Sequence, residues 1–348
     1  MLKKIFLWLG LMILGIVIGT KFIPYLGFFP YKEELNNLWP AVFRQLASFD
    51  GIHYILIAKR GYMQYEQAFF PLYPQLIEAM GKLWLLNGVF ISVFSFILGL
   101  FVWSKYLKIL KLNEKNILWY WILFPTAFYF GTVYTEGLFF LLAGLTLLFA
   151  AKNKWFLAII VGILAAQTRI IGLALVIPIF WQNRKKWWMS IGPIIGFVSY
   201  CFYLWKTTGD PLMFYHSQSM FGANRVAGKI ILLPQVMWRY FKIFIYAGHD
   251  FKYFIAILEF AVLILCLYLL TKQLLRKKAK LLGLNLFSWI VIILPTLTGT
   301  LSSLPRYALM APAIFIELGE KDNKIIKYIF GILFVLLLGF FVRGYFVS

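Results

Sequence analysis

The chain has 348 residues, of which 62% are hydrophobic and only 14% charged, and its mean hydropathy is +0.81. A water-soluble domain carries about 25% charged residues, so this composition excludes a soluble enzyme. The net charge of +21 does not indicate nucleic-acid binding, because the basic residues lie mostly in short segments between apolar runs. Those runs are long enough to cross about 30 Å of hydrocarbon, and we predict an all-α polytopic membrane protein.

The apolar runs predict about eleven transmembrane helices in a single domain, 1–348, with the N-terminus in the cytoplasm behind Lys3 and Lys4. The first run, 5–18, has no small-residue cleavage site after it, so it is predicted to be a retained span rather than a signal peptide. Residues 24–83 then form a long external loop, which contains short interfacial helices and five of the 13 acidic residues.

The remaining spans alternate between basic inner loops and the outer side. Spans two, three and seven cover about 84–103, 117–133 and 187–205, and two short helices in 155–181 break at Arg169. A second external loop occupies 206–252. Span eight descends to Lys272, span nine exits near Thr300, span ten returns to Glu320 and span eleven leaves the C-terminus outside. One long helix through Arg169 would move the later basic clusters outside, so two helices agree better with the positive-inside rule.

The first external loop contains the stretch most typical of a reactive site. An acid, a histidine and two basic residues occur within it, namely Asp50, His53, Lys59 and Arg60, and the aromatic-proline run 69–74 follows. A carboxylate at a membrane surface beside cationic and aromatic groups can take the proton from a hydroxyl next to a lipid-borne phosphate. The alternative role for Asp50 is to cap the helix that starts at Gly51.

This stretch resembles the signature of the GPI mannosyltransferase II (PIG-V) family and its prokaryotic relatives, which are GT-C glycosyltransferases. The matching residues are Phe49-Asp50-Gly51-Ile52-His53-Tyr54, Ile57-Ala58, Gly61-Tyr62, Phe69-Phe70-Pro71-Leu72-Tyr73-Pro74, Phe124-Pro125, Tyr134-Thr135-Glu136, Thr168-Arg169-Ile170-Ile171-Gly172, Gly209-Asp210-Pro211, Gln218 and Leu304-Pro305-Arg306-Tyr307. One departure is Phe49, where the family usually has Trp. The resemblance implies a GT-C-like bundle, a catalytic acid in the first external loop, and transfer of mannose with inversion from a polyprenyl-phosphate donor.

With this resemblance, Asp50 is predicted to be the general base, and one carboxylate suffices because phosphate is already a good leaving group. Arg169 and Arg306 are the only basic residues in their neighbourhoods, at the outer ends of spans, where an unpaired arginine is costly without an anionic partner. We predict that they share one cavity with Asp50 and neutralise the departing donor phosphate. The alternative is that both arginines reach toward lipid headgroups.

Four further residues are predicted to bind substrate or to orient these groups: His53, Glu66, Glu136 and Arg225. His53 lies on the same helical face as Asp50 and would bind phosphate or acceptor, or be a packed histidine. Glu66 would assist Asp50 or orient the acceptor, and Glu136 would cap a helix or pair with an arginine. Arg225 would close over the donor, or belong to an ordinary solvated loop.

The sequence thus predicts a multi-pass glycosyltransferase with an extracytoplasmic active site and no required metal or cofactor. Its partners would be a polyprenyl-phosphate sugar, a glycan or glycolipid acceptor and membrane lipids, without nucleic acid. Mannose is implied only by the resemblance, and a protein acceptor also stays open. One alternative is a lipid-linked sugar flippase or small-molecule transporter, which would need polar residues on broken helices of paired repeats, and no internal repeat is visible. A non-catalytic scaffold is the other.

Overall fold

The structure is a computed structural model that describes residues 1–26, 31–221, 229–276 and 278–347. Within these ranges the regular secondary structure is entirely helical, without a strand. The α-helices are α1 Leu2–Phe22, α2 Lys32–Asn36, α3 Asp50–Arg60, α4 Leu72–Ala79, α5 Trp84–Ile109, α6 Glu114–Leu123, α7 Glu136–Ala151, α8 Trp155–Ala166, α9 Val176–Gln182, α10 Ile191–Thr208, α11 Met213–His216, α12 Leu233–Tyr246, α13 Phe251–Leu275, α14 Leu282–Thr296, α15 Leu304–Ala308, α16 Pro312–Lys321 and α17 Lys324–Val342. Short 3₁₀ helices occupy Ala41–Ala47, Glu66–Ala68, Ala127–Gly131, Ile170–Leu175, Arg184–Ser190, Ser217–Phe221 and Ala279–Leu281.

Six helical segments of the described chain are long and apolar enough to cross a membrane: Leu2–Phe22, Trp84–Ile109, Arg184–Thr208, Phe251–Leu275, Ala279–Thr296 and Lys324–Val342. Three shorter apolar helices accompany them, Glu136–Ala151, Trp155–Ala166 and Ile170–Gln182. The chain therefore has the helices of a polytopic membrane protein, as predicted. The count of eleven stays a prediction, because several predicted spans are short or interrupted. Predicted span three, for example, ends its α-helix before Pro125, which disfavours helical backbone at Phe124.

The long helices approach one another closely where glycine replaces a side chain. A Cβ atom on Gly19 of α1 would lie 2.6 Å from the carbonyl oxygen of Gly339 in α17. A Cβ atom on Gly137 of α7 would lie 2.3 Å from the carbonyl oxygen of Ser92 in α5. Small residues allow such contacts between apolar helices, where van der Waals packing supplies the attraction. The contact at Gly137 also fixes the first turn of α7, which begins with Glu136.

The segments predicted to be inner loops meet at one end of the bundle, called the basic end below. The Lys280 ammonium donates to the Leu110 carbonyl (2.6 Å), and the indole N–H of Trp181 donates to the Ala279 carbonyl (2.8 Å). The side-chain amide of Asn183 donates to the Ala150 carbonyl at 2.9 Å. These hydrogen bonds join the last turns of α7 and α9 to the segments that follow α5, α9 and α13. The alternation of spans between these segments stays a prediction. The side of the membrane that this end faces stays a prediction.

Candidate functional site

A cavity of about 510 Å³ opens among the helices away from the basic end. One part of its wall is polar and charged, and includes Asp50, Thr135, Glu136, Thr168, Arg169 and Arg306. Another part is apolar, with Phe214, Phe221, Ile230, Leu294, Pro295 and Leu297. Aromatic residues, among them Tyr54, Phe69, Phe70, Tyr134 and Tyr307, also line it. The cavity therefore has the polarity of an amphipathic ligand, with charge in one region and hydrocarbon in another.

Four charged side chains, called the tetrad below, form one ion-pair network in this wall: Asp50, Glu136, Arg169 and Arg306. The Arg306 Nη1 atom lies 2.7 Å from Asp50 Oδ2, and its Nε atom lies 3.4 Å from Glu136 Oε1. Arg169 Nη1 contacts the same Glu136 Oε1 atom. Two positive and two negative charges give the tetrad a formal charge of zero, which is the condition for holding ions away from water.

The two arginines are therefore not the isolated cations that the sequence suggested. Each has a carboxylate partner within the protein, and Glu136 serves both. Arg169 also donates to the Thr135 hydroxyl at 3.1 Å. Both guanidinium groups lie near aromatic rings, with Arg169 4.8 Å from the ring of Tyr307. Snorkelling toward headgroups does not describe them, because only 8% of Arg169 and 7% of Arg306 is accessible.

Two members of the tetrad, Glu136 and Arg169, lie at or just beyond the ends of the short apolar helices α7 and α8. Helix α7 has 16 residues and α8 has 12, and an α-helix rises about 1.5 Å per residue. Glu136 and Arg169 therefore lie at most roughly 24 and 20 Å from the basic end, less than the ~30 Å thickness of a hydrocarbon core. Where the tetrad lies relative to the membrane surface stays a prediction.

Asp50 is the first residue of α3, and its side chain is 29% exposed toward the cavity. Phe49 occupies the N-cap position with φ of +59°, a conformation that non-glycine residues seldom adopt. Its ring packs against Phe341 and Phe346 at centroid distances of 5.8 and 5.2 Å. Phe49 rather than Asp50 occupies the N-cap position, and the Asp50 carboxylate is paired with Arg306. Packing of Phe49 holds this unusual backbone and so fixes where Asp50 begins the helix.

The other members of the tetrad lie at breaks in the helical backbone. Arg169 has extended backbone (φ −156°, ψ 149°) between α8 and the following 3₁₀ helix, as the predicted break there required. Arg306 lies in the short helix α15, where the Thr126 hydroxyl donates to the Pro305 carbonyl at 2.7 Å. The indole N–H of Trp121 donates to the Leu309 carbonyl at 2.9 Å. Buried hydrogen bonds from the 114–135 region thus position the segment that carries Arg306.

His53 and Glu66 lie behind the cavity wall and are not among the residues that line it. The His53 ring stacks on Phe69, which does line the cavity, at a centroid distance of 5.0 Å. His53 Nδ1 lies 3.5 Å from Glu66 Oε1, and Arg60 donates to both Glu66 oxygens at 2.9 and 3.0 Å. Burial disfavours the charged form of Glu66, but hydrogen bonds from His53, Arg60 and the Met63 N–H outweigh it and lower its pKa to about 2. The network supports Phe69 through the stacked His53 ring, and a role of His53 and Glu66 in binding substrate stays a prediction.

Sequence reasoning placed Asp50, Glu136, Arg169 and Arg306 at candidate sites, and the structure brings these four together. Arg225 lies outside the described residues. Several lining residues were assigned no role, above all the apolar ones from α11 and α14, and Tyr54 and Thr168 were named only as parts of the motifs. Thr168 directly precedes Arg169, so its position in the motif was a usable signal. The sequence contained no such signal for the apolar wall, because its residues resemble those at every other lipid-facing or core position.

No metal centre is formed by the residues that the structure describes, since no three His, Cys, Asp or Glu side chains among them come together in a metal-binding group. In comparisons with protein-family models, curated proteins and solved structures, the chain has no significant match.

Proposed function

We propose that the chain is an integral membrane glycosyltransferase of GT-C type that transfers a hexose from a polyprenyl-phosphate donor to a hydroxyl acceptor. The observation that carries this proposal is one cavity with an accessible carboxylate, two arginines and an apolar wall. A prenyl-phosphate sugar has parts that match these regions: a hydrocarbon tail, an anionic phosphate and a polar sugar. Mannose is the hexose that the resemblance of the motifs implies.

The reaction needs one proton acceptor and one anion-stabilising group, and the tetrad offers both. Asp50 would take the proton from the acceptor hydroxyl, while the hydroxyl oxygen forms a bond to the anomeric carbon on the face opposite the phosphate. The bond between that carbon and the phosphate oxygen breaks with its electron pair, so the configuration inverts and polyprenyl phosphate leaves as a dianion. Arg306 and Arg169 would neutralise the added charge in a site largely closed to water.

The orientation in this proposal comes from the distribution of charge. The basic end contains short loops rich in Lys and Arg, which favours the cytoplasmic side. The eleven-span path then places the cavity, the loop of residues 24–83 and the loop of residues 206–252 on the extracytoplasmic half. A polyprenyl-phosphate sugar would enter from the outer leaflet with its tail along the apolar wall.

The test is transfer of labelled mannose from polyprenyl-phosphate-mannose by the purified protein, against a panel of lipid-linked glycan, polymer and peptide acceptors. Asp50→Asn should reduce turnover by roughly 10²–10⁴-fold. Asp322→Asn is the matched control: Asp322 also pairs with a cation, Lys327, but it lies between α16 and α17 and does not line the cavity. Near-normal turnover by Asp50→Asn, with the control unchanged, would remove Asp50 from the mechanism.

A second candidate, a lipid-linked sugar flippase, is favoured by the broken hairpin of α8 and α9. Interrupted helices with charged residues at depth are typical of transporter binding sites, and Arg169 lies at such an interruption. The two functions separate in liposomes that contain fluorescent polyprenyl-phosphate sugar. Movement of the lipid between leaflets without any acceptor would support the flippase, whereas labelled product only in the presence of acceptor would support the transferase.

A further inference from the structure

The tetrad contains two buried polar atoms that the resting structure leaves unsatisfied. Among the described residues, Glu136 Oε2 and Arg306 Nε have no hydrogen-bond partner. Glu136 is only 1% exposed, and its other oxygen, Oε1, contacts both arginines. Buried polar atoms are nearly always paired, because an unpaired one costs about 1–3 kcal/mol. An orphan oxygen on a buried carboxylate at a ligand cavity therefore requires a functional explanation.

The charge of the cavity changes when an anion enters it. The tetrad is formally neutral without ligand, since two arginines face two carboxylates. A phosphodiester brings one negative charge, which would leave the filled cavity with an uncompensated charge away from water. Such a charge is costly, and proteins usually avoid it by moving a proton. One proton taken up with the anion would restore the balance.

We propose that Glu136 takes up this proton, on Oε2, when a phosphodiester anion binds at the tetrad. A proton on Oε2 would break no existing hydrogen bond, and Oε1 would still accept from the arginines. Asp50 would stay ionised beside Arg306, as a general base must. This inference deepens the proposed function, since the anion is the phosphodiester of the lipid donor.

Several ionisable groups surround Glu136 and interact with it electrostatically. The charged ones are Arg169, Arg306 and, through Arg306, Asp50. The tyrosines are Tyr54 of α3, Tyr73 of α4, and Tyr129 and Tyr134 of the segment before α7. The hydroxyl of Tyr73 donates to the Gly88 carbonyl and that of Tyr134 to the Ser48 carbonyl. Glu136 is the carboxylate among these groups that contacts both cations and still has a free oxygen.

The experiment is titration calorimetry of the detergent-solubilised protein with methyl farnesyl phosphate, a phosphodiester that stays monoanionic, in buffers of different ionisation enthalpy. The dependence of the binding enthalpy on the buffer gives the number of protons exchanged. We expect uptake of about one proton, and weaker binding as the pH rises, because binding and proton uptake are linked. Binding without proton uptake, or no binding of the phosphodiester, would overturn the proposal. The assay contains no sugar and no acceptor, so it is independent of the transfer assay.

Two further measurements test the source of the anion and the residue that takes up the proton. Dimethyl phosphate has the same charge without the tail, and equal affinity for the two probes would overturn a lipid-borne source. Glu136→Gln mimics the protonated side chain, so it should bind the phosphodiester roughly tenfold more tightly at neutral pH and without proton uptake. Glu320→Gln, at the basic end, should behave as the unsubstituted protein does.

An infrared difference spectrum identifies the protonated group without any substitution. Binding should produce a carboxylic-acid C=O band that shifts when the protein is labelled with ¹³C-glutamate. A band that shifts with ¹³C-aspartate instead would assign the proton to an aspartate and overturn the assignment to Glu136. Because this measurement uses the unsubstituted protein, it tests the proposal even if the Glu136→Gln protein folds poorly.

Discussion

Glu136 is the side chain on which the stability of the tetrad should depend most. It is 1% exposed and its Oε1 atom contacts both Arg169 and Arg306. Glu136→Gln keeps the shape but removes one negative charge, so the tetrad is left with a formal charge of +1. Removing one partner of a buried ion pair typically costs about 3–5 kcal/mol, because the remaining charge has no compensation. We expect a loss of this size in the free energy of unfolding.

The chain offers a matched control for this substitution at the basic end. Glu320 also lies between two cations, Arg276 and Lys278, but its side chain is 26% exposed. Water and salt screen such pairs, so Glu320→Gln should cost no more than about 1 kcal/mol. Unfolding of both variants would be followed by denaturant titration in mixed micelles. An equal or smaller loss for Glu136→Gln would refute the claim that the tetrad depends on charge balance.

A double variant also tests whether the stability of the tetrad depends on its charge balance. Replacing Arg169 by Gln in the Glu136→Gln background returns the formal charge of the tetrad to zero. The double variant should then be more stable than the sum of the two single losses implies, since residues in one ion-pair network couple. Addition of methyl farnesyl phosphate should likewise stabilise Glu136→Gln more than the unsubstituted protein. Strict additivity, with no extra stabilisation by the anion, would contradict the account.

Three further predictions concern the arginines, the topology and Glu66. Alanine in place of Arg169 or Arg306 should weaken binding of a polyprenyl-phosphate ligand, measured by calorimetry, and Lys should restore it only partly because it lacks the planar fork. Cysteines introduced at Gln64 and Lys278 should be labelled by impermeant reagents from opposite sides of the membrane, and labelling from one side would exclude the eleven-span path. The folded-state pKa of Glu66, about 2 against a usual 4.5, corresponds to about 3 kcal/mol of stability. That contribution is present above pH 4.5 and is lost as the pH falls toward 2, so the stability difference between the unsubstituted protein and Glu66→Gln should shrink over that range and stay constant above it.

The class of fold was predictable because hydrocarbon imposes strict rules on a chain. Long apolar runs with basic segments between them leave few alternatives to a helical bundle, and the break at Arg169 followed from the polar residues there together with charge alternation. Helix boundaries were less predictable. The α-helix α6, for instance, ends before Pro125, and α8 ends shortly before Arg169, which pairs with Glu136. Such limits depend on contacts between distant segments, which a single sequence does not display.

The members of the candidate site were predictable one by one, whereas their pairing was not. Asp50 and Arg306 are 256 residues apart and form a 2.7 Å contact, and no local pattern connects them. The motifs marked polar residues in apolar surroundings, which is where intramembrane charge is costly unless it has a function or a partner. That argument correctly required an anion near each arginine. It offered Glu136 as a partner for an arginine, but it did not show that Asp50 pairs with Arg306.

The position of Arg306 beside Asp50 in the cavity wall bears on how the proposed transfer would proceed. During the reaction Asp50 would lose its negative charge to the incoming proton, while the departing phosphate gains one. Because Arg306 Nη1 lies 2.7 Å from Asp50 Oδ2 and the guanidinium also lines the cavity, the cation would face a nearly constant total charge throughout. A preorganised group of this kind needs little rearrangement as charge moves, which is how fixed ions accelerate such reactions. The contact with Asp50 would then weaken as the contact with the phosphate strengthens.

Arg306→Lys should consequently lower turnover more than it lowers donor binding, since a single ammonium cannot direct parallel donors toward both partners. Equal losses in the two quantities, measured by donor calorimetry and initial rates, would show that Arg306 only binds.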